Sequence, residues 1–178
     1  YSKYKAMCEE ILLKNSSKEF SCTIIRPATV CGFSKRQRFD LVVNILTNLA
    51  FNKKEISVFG GDQLRPNINI HDMCRSYIHI LNCETKLVNG EIFNVGYENQ
   101  TVEKLAKTVA ECFPFKIEIK KVPSDDDRSY HISSEKIKKK LSFNFKFNIK
   151  DAVKEIVNNF NKNLFDDPLN NEMYFNIT

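Results

Sequence analysis

The sequence predicts an α/β fold in which short apolar strands alternate with amphipathic helices. Strand-like runs such as 22–26 and 91–95 end at Pro27 and Gly96, and helical periodicity returns after each. This alternation is typical of layered α/β architectures. At 178 residues, with 42% hydrophobic and 28% charged residues, the chain is long enough for one domain or a little more around a buried core.

The elements follow in order. Apolar residues at helical spacing predict helices over 1–14, 39–50, 72–81, 102–113, 134–141 and 150–160. Extended patterns predict strands over 22–26, 55–59, 67–70, 91–95 and 116–122. Thr101 is placed to cap the helix that follows it. We expect the tail from Asp167-Pro168 onward to be loosely ordered.

Composition excludes several classes of protein. No apolar run has the length of a membrane span and no charged-then-apolar leader is present, so we expect no membrane partner. The net charge of +5 comes from scattered lysines, with acidic residues close to the longest basic run. We therefore expect no nucleic-acid partner and a modest attraction for an anionic small molecule. The first residue is Tyr rather than Met, so we expect the natural N-terminus to be missing.

The cysteines form neither a CxxC pair nor a cluster with His at metal spacing. Several lie in apolar stretches, which is typical of small core residues in a reduced, cytoplasmic protein without a structural metal. The six are Cys8, Cys22, Cys31, Cys74, Cys83 and Cys112.

Tyr1 and Lys5 are the first candidate catalytic pair. Positions i and i+4 share a helix face, so a phenol and an ammonium can meet one substrate atom there. The cation favours the phenolate and lowers a pKa that is ordinarily about 10, as proton removal from an alcohol requires. Considered alone, this spacing is also that of a solvated helix face. The five glycines form no GxGxxG or P-loop pattern, so the chain has the features of the second half of a larger protein.

Five landmarks, in order and spanning residues 1 to about 141, resemble the extended short-chain dehydrogenase/reductase family, in particular its nucleotide-sugar epimerases and dehydratases. They are Tyr1-x-x-x-Lys5; Arg26-Pro27-Ala28-Thr29-Val30-Cys31-Gly32; Val58-Phe59-Gly60-Gly61 through Arg65 with Ile70-His71-Asp72-Met73; Glu91-Ile92-Phe93-Asn94-Val95-Gly96; and Asp127-Arg128-Ser129-Tyr130 with Ser133-Ser134-Glu135-Lys136. The chain departs from the family where Cys31 replaces a usual Tyr and where Pro66-Asn67 replaces an Asp and an aromatic residue.

The resemblance implies reversible hydride transfer between a sugar carbon and a nicotinamide cofactor, NAD, with NADP also open. Tyr1 would act as the base, and Lys5 would hold its pKa near working pH and bond the cofactor ribose. The stretch Pro27, Ala28, Thr29 and Val30 would contact the nicotinamide. The alternative for this stretch is an ordinary strand end.

The resemblance also implies that Arg65 and Arg128 hold the diphosphate of a nucleotide-diphosphate sugar, because a guanidinium matches phosphate oxygens with two bonds. The alternative for each is a surface salt bridge, with Asp125–Asp127 beside Arg128. Five further residues are interpreted as solvated or structural: Lys35, Arg36, Arg38, His71 and His131.

The implied protein is a dimeric, cytoplasmic enzyme of polysaccharide biosynthesis that pairs through the helix beginning at Tyr1. Residues 1–32, 67–83 and 91–97 would complete a Rossmann-like nucleotide-binding sheet, 33–66 and 98–162 would form a small α/β substrate lobe, and 163–178 would be a tail. Without a glycine-rich loop we expect the chain to be inactive alone. We expect a nucleotide-sugar epimerase; the alternatives are a 4,6-dehydratase or reductase of the same family, and a non-catalytic NAD-fold protein that binds, for example, RNA.

Overall fold

The computed structural model describes residues 2–125 and 128–176. The helices are α1 (Ser2–Lys14), α2 (Val42–Lys53), α3 (Ile70–Leu81), α4 (Thr85–Val88), α5 (Val102–Ala110), α6 (Glu135–Leu141) and α7 (Ile149–Asn161), followed by a 3-10 turn (Glu172–Tyr174). The strands are β1 (Thr23–Pro27), β2 (Thr29–Cys31), β3 (Glu55–Phe59), β4 (Leu64–Asn69), β5 (Glu91–Val95), β6 (Glu98–Thr101) and β7 (Glu118–Val122). The predicted α/β fold is confirmed.

Within the described residues the strands form three small sheets, and their pairings are mostly parallel. β1 pairs with β5, with Thr23 opposite Glu91, and β3 pairs with β7. The third sheet has the order β2-β4-β6, in which β2 and β4 are parallel and β4 and β6 are antiparallel. Parallel pairs require crossover connections, which the helices supply here.

Two apolar clusters fill the space between sheets and helices. The first joins α2, α5 and α7 to β3, and includes Val43, Leu46, Ile56, Leu105 and Val153. The second packs α3 and α6 against the first and third sheets, and includes Ile68, Met73, Phe93, Val95 and Ile137. The fold therefore has a core on either side of the β2-β4-β6 sheet.

Most predicted elements agree with the structure to within a few residues. β3 and β5 have the predicted bounds, and Thr101 caps α5 by accepting a hydrogen bond from the backbone nitrogen of Lys104. The helix predicted from residue 39 begins only at Val42, because Phe39 is inserted into an aromatic cluster and is 0% exposed. β2, β6 and α4 were not predicted.

The tail differs from the expectation of loose order. Phe165, Tyr174 and Phe175 pack against an aromatic cluster centred on Phe39 and Phe160. The backbone nitrogen of Phe39 donates to the Tyr174 carbonyl oxygen at 2.8 Å. The described part of the tail is therefore attached to the body of the fold. None of the helices within residues 2–125 and 128–176 combines the length and hydrophobicity that crossing a membrane requires.

Candidate functional site

The main candidate site is an open cavity of about 540 Å³ between α2 and the ends of β3 and β4. One wall is apolar and comes from α2. The opposite wall is polar and carries both predicted phosphate-binding arginines. The lining residues are Thr29, Asp40, Leu41, Val42, Ile45, Leu46, Leu49, Ser57, Phe59, Gln63, Arg65, Val102, Ser124, Arg128 and Tyr130.

Arg65 and Arg128 converge in this cavity although they are 63 residues apart in sequence. Arg65 lies on β4 and its Nη1 donates to the carbonyl oxygen of Arg128. Its guanidinium lies 5.8 Å from the ring centroid of Tyr130, within the range of a cation–π contact. The Ser129 hydroxyl accepts from the backbone nitrogen of Leu64 at 3.0 Å, which holds the 128–130 segment against β4. Two arginines that border one cavity suit an anionic ligand.

The stretch Pro27–Val30 presents its side chains in two directions. Thr29 lines the cavity, whereas Ala28 and Val30 pack into the second apolar cluster. The backbone nitrogen of Ala28 donates to the Val95 carbonyl oxygen at 2.8 Å, and Pro27 is exposed. Four residues of this stretch were predicted to contact the cofactor, and of these four Thr29 lines the arginine cavity whereas Pro27, Ala28 and Val30 do not.

Lys5 lies elsewhere. Tyr1 is outside the described residues, and none of the residues of α1, Ser2–Lys14, is buried. The side chain of Lys5 borders a second cavity of about 610 Å³ between α1, β1 and α3. An ion pair between Glu9 of α1 and Arg26 of β1 ties the helix to the sheet and lowers the pKa of Glu9. The structure therefore does not bring Lys5 into the cavity that holds Arg65 and Arg128.

Asp40 is an acidic group at the edge of the arginine cavity. Both carboxylate oxygens accept from Arg38, at 2.9 and 2.7 Å, and Oδ2 also accepts from the backbone nitrogen of Asn176 at 3.0 Å. The hydrogen bonds from Arg38, with that from Asn176, hold the pKa of Asp40 below its ordinary value. The carboxylate is thus ionised, and Arg38 offsets its charge.

The two departures from the family pattern lie next to the site. Cys31 is 1% exposed and packs in the first apolar cluster; its thiol donates to the Ile68 carbonyl oxygen at 3.4 Å, and burial raises its pKa to about 12. Pro66 and Asn67 are buried within β4, and Asn67 Nδ2 donates to the Arg65 carbonyl oxygen at 2.9 Å. Cys31 is accordingly a core residue, and Asn67 holds the backbone that carries Arg65.

Some cavity residues were not predicted. Three apolar residues that line the cavity, Leu41 just before α2 and Ile45 and Leu49 within it, have the same helical spacing as the core residues beside them. Tyr130 belongs to the landmark Asp127-Arg128-Ser129-Tyr130, but no functional role was predicted for this residue. The side chain of Asp40 has no sequence signal, because its place depends on a contact with the tail.

The other basic candidates have local partners or lie away from the cavity. Arg36 Nη2 donates to the side chain of Asn176 at 3.2 Å, and His71 contacts Glu155 at 3.1 Å. His131 and Lys35 are exposed and do not line the arginine cavity. Among the described residues, no group of three or more His, Cys, Asp or Glu side chains is placed to hold a metal ion. Asp126 and Asp127, the acidic neighbours of Arg128, lie outside the described residues.

A protein-family comparison identifies the class of protein to which the chain belongs. Residues 1–96 match the model of the NAD dependent epimerase/dehydratase family. The matched part is more than half of the 178 residues. The chain belongs to this family.

Solved structures with the same fold include three enzymes that act on nucleotide sugars. A dTDP-glucose 4,6-dehydratase from Bacillus anthracis in complex with NAD has a TM-score of 0.74 at 22% identity over 98% of this chain. A UDP-glucose 4-epimerase from Thermotoga maritima with UDP-glucose has a TM-score of 0.70 at 26% identity over 89%. A UDP-N-acetylglucosamine 4-epimerase from Bacillus cereus has a TM-score of 0.70 at 25% identity over 85%. This chain spans 53%, 51% and 53% of those proteins, respectively.

One described residue offers a group suited to a nicotinamide dinucleotide. Lys5 is an exposed ammonium on α1, a donor suited to a ribose hydroxyl. The five glycines of the sequence form no phosphate-binding loop. The chain therefore offers a donor for a ribose and no glycine-rich loop for the pyrophosphate.

Proposed function

We propose that this chain is the C-terminal part of a NAD-dependent nucleotide-sugar epimerase, with NADP also open as the cofactor. The observation that carries the proposal is the convergence of Arg65 and Arg128 on one wall of a cavity whose other wall is apolar. Such a cavity suits a ligand with a charged diphosphate and less polar rings. Two of the similar structures, at 26% and 25% identity, are UDP-sugar 4-epimerases, which favours epimerisation over 4,6-dehydration or reduction.

The proposed chemistry distributes its tasks among named groups. The cofactor, when bound, accepts and returns a hydride at the sugar carbon. Tyr1 Oη accepts the proton of the sugar hydroxyl, and the Lys5 ammonium favours the phenolate form of Tyr1. Arg65 and Arg128 hold the phosphates, and the apolar residues of α2 exclude water from the bound ligand.

The proposed division of the chain follows the sheets. Residues 1–32, 67–83 and 91–97 would complete a nucleotide-binding sheet, and 33–66 and 98–162 would form the substrate lobe. Among the described residues β1 pairs with β5 alone, so its second edge is open to another parallel strand. A strand from a cofactor-binding half would lie there and bring Lys5 and Tyr1 to the cofactor. We infer that the 178 residues alone neither bind NAD tightly nor turn over.

The phosphate-binding role of the arginines is tested by titrating the chain with UDP-glucose and following amide chemical shifts. A charge-assisted hydrogen bond contributes about 1.5–3 kcal/mol, which corresponds to a roughly 10- to 150-fold weaker affinity for Arg65→Ala or Arg128→Ala. Arg65→Lys keeps the charge and loses the fork, so its effect should be intermediate. Lys86→Ala, an exposed basic residue that does not line the cavity, is the control and should bind as the wild type does.

The same titration separates this proposal from the non-catalytic alternative. Affinity for UDP-glucose that falls only in the cavity variants supports a nucleotide-sugar site. Binding of RNA that weakens steeply with salt, without any response to nucleotide sugars, would instead favour an RNA-binding protein.

We further propose that the protein is a cytoplasmic homodimer that pairs through α1 and acts in polysaccharide biosynthesis. Met7→Glu places a charge on the exposed face of α1, and analytical sedimentation of this variant tests the dimer.

A further inference from the structure

The C-terminal segment is bound to the loop that borders the arginine cavity. We call residues 163–176 the strap and residues 33–41, between β2 and α2, the cavity loop. The strap meets this loop through backbone groups: Phe39 nitrogen donates to the Tyr174 carbonyl oxygen at 2.8 Å, and Asn176 nitrogen donates to Asp40 Oδ2 at 3.0 Å. A third contact joins the strap to α2, where Asn48 Nδ2 donates to the Pro168 carbonyl oxygen at 2.7 Å.

Aromatic packing reinforces these bonds. Phe39, near the end of the cavity loop, is 0% exposed. Its ring centroid lies 5.1 Å from Phe165 and 5.2 Å from Tyr174, both edge-on and both in the strap. It also stacks on Phe160 of α7 at 5.6 Å. Removal of the strap would therefore uncover the part of the buried Phe39 ring that Phe165 and Tyr174 cover.

The cavity loop forms part of one wall of the arginine cavity. Asp40 and Leu41 line the cavity directly. The Leu41 carbonyl oxygen accepts the first hydrogen bond of α2, from the Ile45 nitrogen at 2.8 Å, which joins the end of the loop to the start of the helix. Arg65 and Arg128 line the same cavity, so the loop that the strap contacts borders the space that the arginines border.

We propose that the strap is a positioning element of the nucleotide-sugar site, which fixes the cavity loop and thereby sets the affinity for the nucleotide sugar. This inference rests on the proposed function. It extends the site to Phe39, Asp40 and Tyr174, none of which belongs to the motifs of the sequence. Asp40 lies at the edge of a cavity meant for phosphates, and its negative charge is tolerated there because Arg38 and the strap hold it.

The test compares Tyr174→Ala with Tyr174→Phe. The alanine variant removes the ring that packs on Phe39, whereas the phenylalanine variant keeps the ring and loses the hydroxyl contact to the Asp166 nitrogen. We expect Tyr174→Ala to weaken UDP-glucose binding by at least about tenfold and Tyr174→Phe by less than about twofold. Ile137→Ala, in the second apolar cluster, controls for lost stability and should keep the wild-type affinity when all variants are folded.

Amide hydrogen exchange gives a second measurement on the same variants. Tyr174→Ala should speed exchange at the Phe39 amide, which bonds the strap, and leave the amides of α6 unchanged. Wild-type affinity in Tyr174→Ala, or unchanged exchange at Phe39, would overturn the strap's role. If the wild type binds none of UDP-glucose, dTDP-glucose and UDP-N-acetylglucosamine, the proposed function fails first, and the strap's role in affinity fails with it.

Discussion

Replacing Asp72 with Asn tests how α3 is joined to the segment that leads into α7. The carboxylate is 0% exposed. Its Oδ2 accepts from the backbone nitrogens of Lys146 and Phe147, both at 2.8 Å, and its Oδ1 accepts from Arg75 Nη1. One side chain therefore satisfies two backbone donors and a guanidinium at the junction of two segments.

The magnitude follows from these contacts. The amide oxygen of Asn can still accept both backbone bonds, but each loses its charge assistance, together about 2 kcal/mol. The amide nitrogen then faces Arg75, donor against donor. Because the Arg75 side chain is 31% exposed, water screens that contact and we assign it about 1 kcal/mol. The free energy of unfolding should fall by about 3 kcal/mol in Asp72→Asn, and by more in Asp72→Ala, which leaves two buried donors unsatisfied.

Urea unfolding followed by far-ultraviolet circular dichroism measures this difference. Asp62→Asn, at an exposed position, is the control and should lie within about 0.5 kcal/mol of the wild type. A shift of the urea midpoint in Asp72→Asn no larger than in the control would refute the argument from the buried carboxylate.

Three more predictions concern packing, pH and thiol reactivity. Gly96→Ala should destabilise the fold by about 1–3 kcal/mol in thermal unfolding, because the added Cβ would lie 2.5 Å from Ile132 Cδ1 and 2.8 Å from Ala28 Cβ. Adding Ile132→Val, which removes Cδ1, should restore part of the lost stability. Full stability of Gly96→Ala would contradict the close packing at this glycine. The pKa of Asp40 is lowered from 3.8, so the stability that its carboxylate contributes is present above pH 3.8 and is lost as the pH falls through the lowered pKa. In a pH titration followed by NMR, the Asn176 amide should lose its hydrogen-bonded chemical shift only in that acid range. A change that is already complete at pH 5 would contradict the lowered pKa of Asp40. Burial raises the pKa of Cys31 to about 12, so its thiol should react with a thiol reagent at neutral pH only when the protein unfolds, whereas the exposed cysteines should react at once. Peptide mass spectrometry measures the labelling rate of each cysteine. Equal rates for Cys31 and the exposed cysteines would contradict the burial of the Cys31 thiol.

The strands with strong local signals could be predicted from the sequence. β3 and β5 are apolar runs followed by glycine, and both have the predicted bounds. β6, Glu98–Thr101, is polar throughout and forms a strand because it pairs with β4. No local sequence pattern predicts this pairing. The predicted start of α2 was wrong because the helical spacing of apolar residues begins at Phe39, whereas the helix begins at Val42. The Phe39 ring instead packs against Phe165 of the strap.

The candidate site was predicted in part. Arg65 and Arg128 followed from motifs far apart in sequence, and their convergence is a property of the fold. The apolar wall escaped prediction because periodicity cannot separate a cavity-facing side chain from a core one. The strap escaped because its polar composition is typical of a solvated tail, while its few aromatic residues find their partners only in the folded chain.

The most direct test of the proposed chemistry is turnover by the protein at its full length. The protein is incubated with NAD and UDP-glucose, dTDP-glucose or UDP-N-acetylglucosamine, and the stereochemistry of the sugar ring is followed by proton NMR. We predict inversion at one sugar carbon, slowed about 10²- to 10⁴-fold in Tyr1→Phe with nucleotide-sugar affinity retained. Undiminished turnover in Tyr1→Phe, or no conversion of any of the three sugars, would contradict the account.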